Sequence, residues 1–317
     1  MRKPVIVCGL AFLAMSCQRQ EPLQVNARFI GTSPSAVVKS YATDDDSLID
    51  RLDLLVFRAS DGRLETQVSG NGLSPLEATV SRDREMKWYM IANAPQHSLS
   101  GFFSEEEFLS NTILMEDGFV MHGQGKTTFH ENGSTVTTAL SRYICKVGIG
   151  SITMEWTDAL PCSLDTIALM NVQGCAPISG IPADLPLRYN CGKIDTGIGS
   201  RLDELLTAHP GVRIESSSPV EPDVTLWCMP NPSKGDSYGL PWQNRRTRIA
   251  LCISAWGQNN WYPIDLPPME GNKYYYVDNI VIKGPGASAP DVRPERVPAS
   301  FTVRILNWEE EITPALF

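Results

Sequence analysis

Apolar and polar residues alternate in short runs along most of the chain, and runs of this kind predict half-buried β-strands. The first run is Leu23–Phe29, in which Leu23, Val25, Ala27 and Phe29 fall on one face. Later alternating or mainly apolar runs are Arg51–Arg58, Leu64–Val68, Leu76–Val80, Gly118–Met121, Thr127–His130, Ser134–Leu140, Ser141–Trp156, Asp165–Val172, Thr225–Pro230, Thr247–Trp256, Asn260–Leu266, Asn272–Lys283 and Phe301–Trp308. We therefore predict an all-β protein.

Several segments depart from simple alternation. Lys87–Ala94 is nearly continuous in apolar and aromatic residues, which predicts a central strand that is covered on both faces. Ser104 followed by Glu107 is a capping box and predicts a short helix, and Arg201–Leu206 predicts one or two helical turns. Gly123–Lys126 predicts a β-turn, and the 23 Pro and 24 Gly residues indicate many others.

Residues 1–17 have the pattern of a secretory signal peptide. Arg2 and Lys3 precede the apolar run Pro4–Met15, which is shorter than the roughly 20 residues of a membrane-spanning helix. Cys17 follows Leu-Ala-Met-Ser, the pattern of a bacterial lipobox, so we expect Cys17 to be lipidated and to become the first mature residue. The alternative is an ordinary signal peptide in which Cys17 has no special role.

The remaining chain is long enough for two domains. We place the boundary near the start of the run Ser141–Trp156, which gives an N-terminal domain of residues 18–141 and a C-terminal domain of residues 142–317. The net charge of -9 comes without long runs of one sign, and this disfavours binding to nucleic acid, which requires a basic face.

Six of the eight cysteines lie beyond the predicted signal peptide and lipobox. They are Cys145, Cys162, Cys175, Cys191, Cys228 and Cys252. An even number in an exported chain permits disulfides, and we favour one to three of them, although the sequence does not reveal the pairing. Free thiols and a zinc site are the alternatives, and the lack of a Cys-x-x-Cys spacing disfavours zinc.

No group of residues has the spacing of a catalytic or metal-binding site, so we expect a protein that is not an enzyme and has no cofactor or metal. The four histidines are scattered: His97, His122, His130 and His209. Asp44–Asp46 fits calcium or, more simply, a solvated acidic loop. Aromatic residues of the second half could stack on glycans or fill a core. These are Trp227, Trp242, Trp256, Trp261, Tyr262 and Tyr274–Tyr276.

Taken together, the order and spacing of several of these segments resemble the fimbrillins of Bacteroidetes-type pili. The segments are the lipobox, Leu23–Phe29, Leu52–Phe57 after an Asp-rich loop, Met90–Pro95, Asn272–Gly286 and the closing strand with Trp308. The resemblance implies two β-sandwich domains of transthyretin-like topology, with short helices in loops, and export as a lipoprotein to the outer membrane. It also implies that stalk subunits polymerise after a protease cuts behind an Arg in the loop following the first strand. The groove that is opened is filled by a neighbour's C-terminal segment.

One departure from this pattern bears on the role of the chain. Where a stalk subunit would carry the processing Arg, this chain has Val37–Tyr41, and the nearest arginines are Arg28 and Arg51. The resemblance then implies an uncut first strand, a retained lipid and a closed groove, as in the lipid-anchored subunit that ends the polymer. A stalk or accessory subunit, or a glycan-binding surface lipoprotein, remains the alternative.

The last residues are the expected donor segment. Ile312, Pro314 and Leu316 lie two apart, so an extended tail would point them to one face, and Phe317 follows. Such a tail would add a strand to a fimbrial stalk subunit through main-chain hydrogen bonds and side-chain pockets. The alternative is that the tail is the frayed end of this chain's own last strand.

Overall fold

The structure is a computed structural model that describes residues 23–33, 48–95, 99–181, 188–189, 206–241, 244–295 and 297–308. Regular structure in these ranges is almost entirely β-strand, so the all-β prediction is confirmed. Within the same ranges, no helix has the length and apolar character needed to cross a membrane. The predicted signal peptide, Cys17 and the predicted donor residues Ile312, Pro314, Leu316 and Phe317 lie outside the described residues.

The elements of the first half are mostly short strands. They are β1 (Gln24–Thr32), β2 (Arg51–Arg58), β3 (Leu64–Asn71), β4 (Leu76–Ser81), β5 (Glu85–Ala92), α1 (Glu105–Leu109), β6 (Thr112–Leu114), β7 (Met121–Thr128), β8 (Ser134–Ala139) and β9 (Ser141–Arg142).

The second half continues mainly with strands, together with a 3-10 turn at Thr157–Ala159. Leu206, the one described residue of the predicted helical segment Arg201–Leu206, is helical. The strands are β10 (Cys145–Ile149), β11 (Ile152–Met154), β12 (Cys162–Met170), β13 (Val172–Gln173), β14 (Cys175–Pro177), β15 (Arg188–Tyr189), β16 (Thr207–Ala208), β17 (Val212–Ile214), β18 (Val224–Cys228), β19 (Arg248–Ala255), β20 (Gln258–Asp265), β21 (Lys273–Ile282) and β22 (Ala299–Asn307).

Two sheets face each other in the first half, with strand orders β4–β1–β8 and β3–β2–β5–β7–β9. A cluster of buried apolar side chains lies between them and includes Phe29 of β1, Leu54 of β2, and Trp88 and Met90 of β5. The ring of Phe29 lies 6.1 Å from that of Trp88 and 5.7 Å from that of Phe129, centroid to centroid. Edge-to-face and tilted contacts at these distances add to the energy of burial.

β1 holds the smaller sheet together. It pairs antiparallel with β4 over Gln24–Phe29 and parallel with β8 over Ala27–Thr32. In the described part of the chain no other strand joins β4 to β8. The predicted strand at the start of the chain is therefore confirmed, and it extends to Thr32.

β5 is the central strand that the sequence predicts. It lies between β2 and β7, and its residues alternate between two apolar clusters. Trp88 and Met90 face the smaller sheet, while Tyr89 and Ile91 face the rest of the molecule. The capping box is confirmed as well: the Glu107 backbone N–H donates to Ser104 Oγ at 3.2 Å, at the start of α1.

The predicted β-turn at Gly123–Lys126 is wrong, because these residues lie within β7. Gly125 is needed for packing and not for a turn, because it leaves space for a neighbouring side chain. The Trp88 ring lies over Gly125 so closely that an added Cβ would be 2.4 Å from Trp88 Cζ2.

Two further sheets form the second half. In the first sheet, β21 is central: β10 and β11 both pair with one side of it, and β22 pairs with the other side. β18 pairs with the outer side of β10. The other has the order β20–β19–β12, with β16 and β17 both pairing with β12. The buried apolar residues of the two sheets belong to one cluster, which includes Val147, Ile167, Leu251 and Tyr275.

The predicted continuous strand Ser141–Trp156 is broken into β9, β10 and β11. The break at Gly150 and Ser151 has a clear cause in β21. Asp278 Oδ1 accepts hydrogen bonds from the Ser151 backbone N–H at 3.0 Å and from Ser151 Oγ at 2.9 Å. β21 itself is irregular between Asp278 and Val281.

The two halves share apolar core. The larger cluster contains Phe57 and Tyr89 from the first half together with residues of the second half. β6 of the first half also pairs antiparallel with β14 of the second. The predicted boundary between residues 141 and 142 falls inside β9, which pairs with β7.

Replacing Phe29 by Ala should destabilise the protein by about 3–5 kcal/mol, because the substitution leaves a cavity between two aromatic rings at the centre of the smaller sheet. The free energy of urea-induced unfolding measures the effect. Arg28→Ala is the matched control on the opposite face of β1. It removes only an exposed ion pair with Glu77 at 3.7 Å and should cost less than about 1 kcal/mol. Equal losses in the two variants would contradict the packing role of Phe29.

Candidate functional site

The groove occupied by β1 is the first part of the candidate site. Val25, Ala27 and Phe29 point into the core and are buried, as predicted. Leu23 differs from the prediction: it lies just before β1 and is 71% exposed. Its carbonyl still accepts a hydrogen bond from the Arg82 backbone N–H at 2.6 Å, but its side chain lies outside the apolar cluster. The buried face of the strand therefore begins at Val25.

Both arginines that flank the segment between β1 and β2 lie in paired strands. Arg28 is in the part of β1 that pairs with β4 and β8 at once. Arg51 opens β2, where its Nε and Nη2 donate to the two carboxylate oxygens of Asp53 at 2.7 Å each. This hydrogen bond, with the charge of buried Asp53, raises the pKa of Arg51 above its usual value. Neither arginine is in an unpaired loop.

β22 and Trp308, the last described residues of the chain, are the second part of the site. β22 pairs with β21, and among the described residues it has no partner on its other side. Trp308, directly after β22, is buried. The guanidinium carbon of Arg142 lies 4.6 Å from the centre of the Trp308 ring, and Lys146 Nζ lies 5.6 Å from it. Cation–π contacts of buried groups at these distances are favourable.

These contacts place Trp308 at the junction between the two halves, since Arg142 is in β9 and Lys146 is in β10. Sequence reasoning missed them. The three residues are far apart in the chain, and no local pattern marks a cation that will lie over a distant ring.

A cavity of about 360 Å3 lies at the same junction, and its lining includes His122, Arg142, Tyr143, Glu270 and Lys273. The His122 ring stacks on Tyr143 with centroids 4.5 Å apart. Burial lowers the pKa of His122 to about 4, so this ring is neutral at physiological pH. The Tyr143 hydroxyl donates to a main-chain carbonyl at 2.6 Å, that of Ile178. This hydroxyl is engaged in packing the junction.

The other histidines are dispersed. His130 Nδ1 lies 2.8 Å from Asp83, and His209 Nδ1 lies 3.1 Å from the Thr166 hydroxyl. His97 is outside the described residues. Among the described residues there is no group of three or more His, Cys, Asp or Glu side chains suited to a metal ion.

The aromatic residues considered for glycan stacking do not share one exposed surface. Tyr262, Tyr274 and Tyr275 are buried, and Trp256 alone among the described members is largely exposed, at 63%. Trp242 lies outside the described residues. Tyr262 and Tyr275 belong to the apolar core of the second half, and Trp227 packs against it, which agrees with the simpler interpretation of the sequence for these members of the group.

The described cysteines are all buried. Cys145, Cys162, Cys228 and Cys252 are present as thiols, and burial raises the pKa of each of Cys145, Cys162 and Cys252. Cys191 is outside the described residues. Disulfide formation by these residues stays a prediction.

Comparisons with known proteins bear on the fold. No protein-family model matches the chain, and no curated protein matches it. Solved structures do match. A proposed cell adhesion protein from Bacteroides eggerthii is 16% identical, with a TM-score of 0.64 over 90% of this chain and 96% of that chain.

Two fimbrial proteins match over similar lengths. A fimbrilin from Porphyromonas gingivalis is 12% identical, with a TM-score of 0.59 over 90% of this chain and 97% of that chain. A fimbrial assembly protein from Parabacteroides distasonis is 13% identical, with a TM-score of 0.51 over 90% of this chain and 99% of that chain. The chain therefore has the fold of the Bacteroidetes fimbrillins, as its sequence resemblance implied.

Proposed function

We propose that this chain is a non-enzymatic structural subunit of a cell-surface fimbrium, and specifically the lipid-anchored subunit that ends the polymer at the outer membrane. The fold supports the general part of the proposal, because the matching structures include a fimbrilin and a fimbrial assembly protein, each over 90% of this chain. The specific part depends on whether the first strand is kept.

The observation that carries the anchor role is the position of the two arginines around β1. Proteases cut preferentially in exposed, unpaired segments. Arg28 and Arg51 are both in paired strands, and the sequence between them contains no other Arg. An arginine-specific protease then has no accessible site at which to remove β1. A chain that is not cut after Arg28 or Arg51 keeps β1, and it keeps the lipid on Cys17 as long as Arg19, the one arginine between Cys17 and β1, is also left uncut.

The C-terminal segment supplies the contact with the polymer. Trp308 is held at the junction of the two halves, so the residues after it start from a fixed point. In the proposed assembly Ile312, Pro314, Leu316 and Phe317 enter the groove of a neighbouring stalk subunit by strand addition. The closed groove of this chain accepts no donor in return, and growth stops here.

The absence of a processing site is tested with an arginine-specific protease on the purified mature chain. Folded wild-type protein should remain uncut from Arg28 to Arg51, because both arginines are in paired strands. Lys39→Arg places an arginine between β1 and β2 and should allow cutting there, as read by N-terminal sequencing and intact mass. Wild-type chain unfolded in urea is the control and should be cut after both arginines. A cut in the folded wild type after Arg28 or Arg51 would instead indicate a processed stalk subunit.

The lipid anchor is tested by Cys17→Ala in cells that make the complete fimbrium. Loss of the lipid should release fimbriae into the medium, which is measured by immunoblotting of the medium and the cell envelope. Cys8→Ala is the matched control, since it changes a cysteine inside the predicted signal peptide and should leave fimbriae on the cell. Fimbriae that stay firmly bound in the Cys17 variant would rule out anchoring through this residue.

The donor segment is tested by deleting Ile312–Phe317. The truncated chain should fold, judged by an unchanged melting temperature, but should no longer co-purify with the stalk subunit. Thr313→Asp is the control, because this side chain points away from the Ile312 face in an extended tail, and the variant should still co-purify. Undiminished co-purification of the truncated chain would show that the contact lies elsewhere.

A further inference from the structure

Two cysteines lie directly opposite each other in neighbouring strands. β10 and β18 are antiparallel, and their register places Cys145 opposite Cys228. Opposite residues in antiparallel strands have Cα atoms about 4.5 or 5.5 Å apart and side chains on the same face. Disulfides use Cα separations of about 4.4–6.8 Å. The backbone therefore holds these two residues at a separation that a disulfide can span.

The two thiols lie in the same apolar core. Both residues are fully buried and belong to the larger cluster of buried side chains. The Cys145 Sγ also donates to the main-chain carbonyl oxygen of Glu270 at 3.0 Å.

The other described cysteines are placed differently. Cys162 lies opposite Ile214, Cys175 opposite Leu114, and Cys252 opposite Thr166 on one side and Trp261 on the other. Register thus distinguishes one pair from the several that the sequence allowed. A metal site does not account for the pair, because the described residues contain no set of ligands around it.

We propose that Cys145 and Cys228 form a disulfide when the chain folds in an oxidising compartment. The oxidant is a dithiol–disulfide protein or a small-molecule disulfide such as glutathione disulfide. One cysteine thiolate attacks a sulfur of the oxidant and displaces one thiolate from it. The second cysteine thiolate then attacks the mixed disulfide and displaces the other. Two electrons pass from the protein to the oxidant, and the two protons released by the cysteines end on its two thiols.

Burial decides when this exchange occurs. The thiolate is the reactive form of cysteine, and burial with the neighbouring Cys228 raises the pKa of Cys145. In the folded, reduced protein both residues are therefore inaccessible, and Cys145 is protonated. The bond forms during folding, before the two sheets close over it.

The bond would connect β10 to β18, which among the described strands of this sheet pairs only with β10. β22, the last described strand before the tail, lies at the other side of the same sheet. If the tail carries tension, as the proposed function requires, the force is applied to this sheet at β22. The disulfide would then hold β18 to β10 at the opposite edge of the sheet. This mechanical role rests on the proposed function, whereas the bond itself does not.

Peptide mapping of oxidatively refolded protein tests the proposal. The mature chain is unfolded with reductant, refolded in a mixture of reduced glutathione and glutathione disulfide, alkylated and digested with trypsin without reduction. Cys145 falls in the peptide Tyr143–Lys146 and Cys228 in Ile214–Lys234, separate from the peptides of the other cysteines. We expect these two peptides to be joined, and to separate on reduction. Protein taken from cell envelopes and alkylated before lysis should give the same joined peptide.

Variants and stability supply the controls. Cys252→Ala should keep the joined peptide, while Cys145→Ala and Cys228→Ala should each lose it. Wild-type protein refolded with reductant should melt about 10 °C below the oxidised form, as expected for closing a loop of roughly 80 residues. Recovery of Cys145 and Cys228 as alkylated, unlinked peptides from refolded protein or from envelopes would overturn the proposal. So would their joining to other cysteines. None of these outcomes depends on fimbrial assembly.

Discussion

The smaller sheet of the first half exists because β1 lies between β4 and β8. Its first residues pair with β4, its last residues pair with β8, and only Ala27–Phe29 pairs with both. The same strand places Phe29 between Trp88 and Phe129, so hydrogen bonding and core packing depend on one segment. A subunit that lost β1 would have to replace both at once. For this reason the proposed role of the chain depends on whether the first strand is kept.

The junction between the two halves depends on a small number of contacts. A shared apolar cluster and the pairing of β6 with β14 join the halves, and Trp308 is added to the same region beneath Arg142 and Lys146. Burying a cation is unfavourable unless it finds compensating contacts, and the ring supplies one such contact for both groups. Trp308, the last described residue, is thus held where the two halves of the chain meet.

Local patterns in the sequence predicted the strands and the helix start that are determined by residues close together in the chain. The alternation at β1, the apolar run at β5 and the capping box at Ser104 each identified the right element, because each reflects burial or hydrogen bonding within a few residues. The same reasoning could not supply the parallel pairing of β1 with β8, the cations over Trp308 or the register of Cys145 with Cys228. These depend on how distant strands are ordered in a sheet. The turn assigned to Gly123–Lys126 failed for a related reason, since the glycine at 125 makes room for the distant ring of Trp88.

The mixed pairing of β1 has a consequence for any strand that might take its place. β1 is antiparallel to β4 and parallel to β8, so β4 and β8 run in opposite directions. An incoming strand of either polarity would make one antiparallel and one parallel ladder. Main-chain hydrogen bonding would therefore not select the direction of entry. The direction would instead be selected by the pockets that Val25, Ala27 and Phe29 leave. These pockets are medium, small and large in that order, so a strand entering in the opposite direction would meet them in the opposite order.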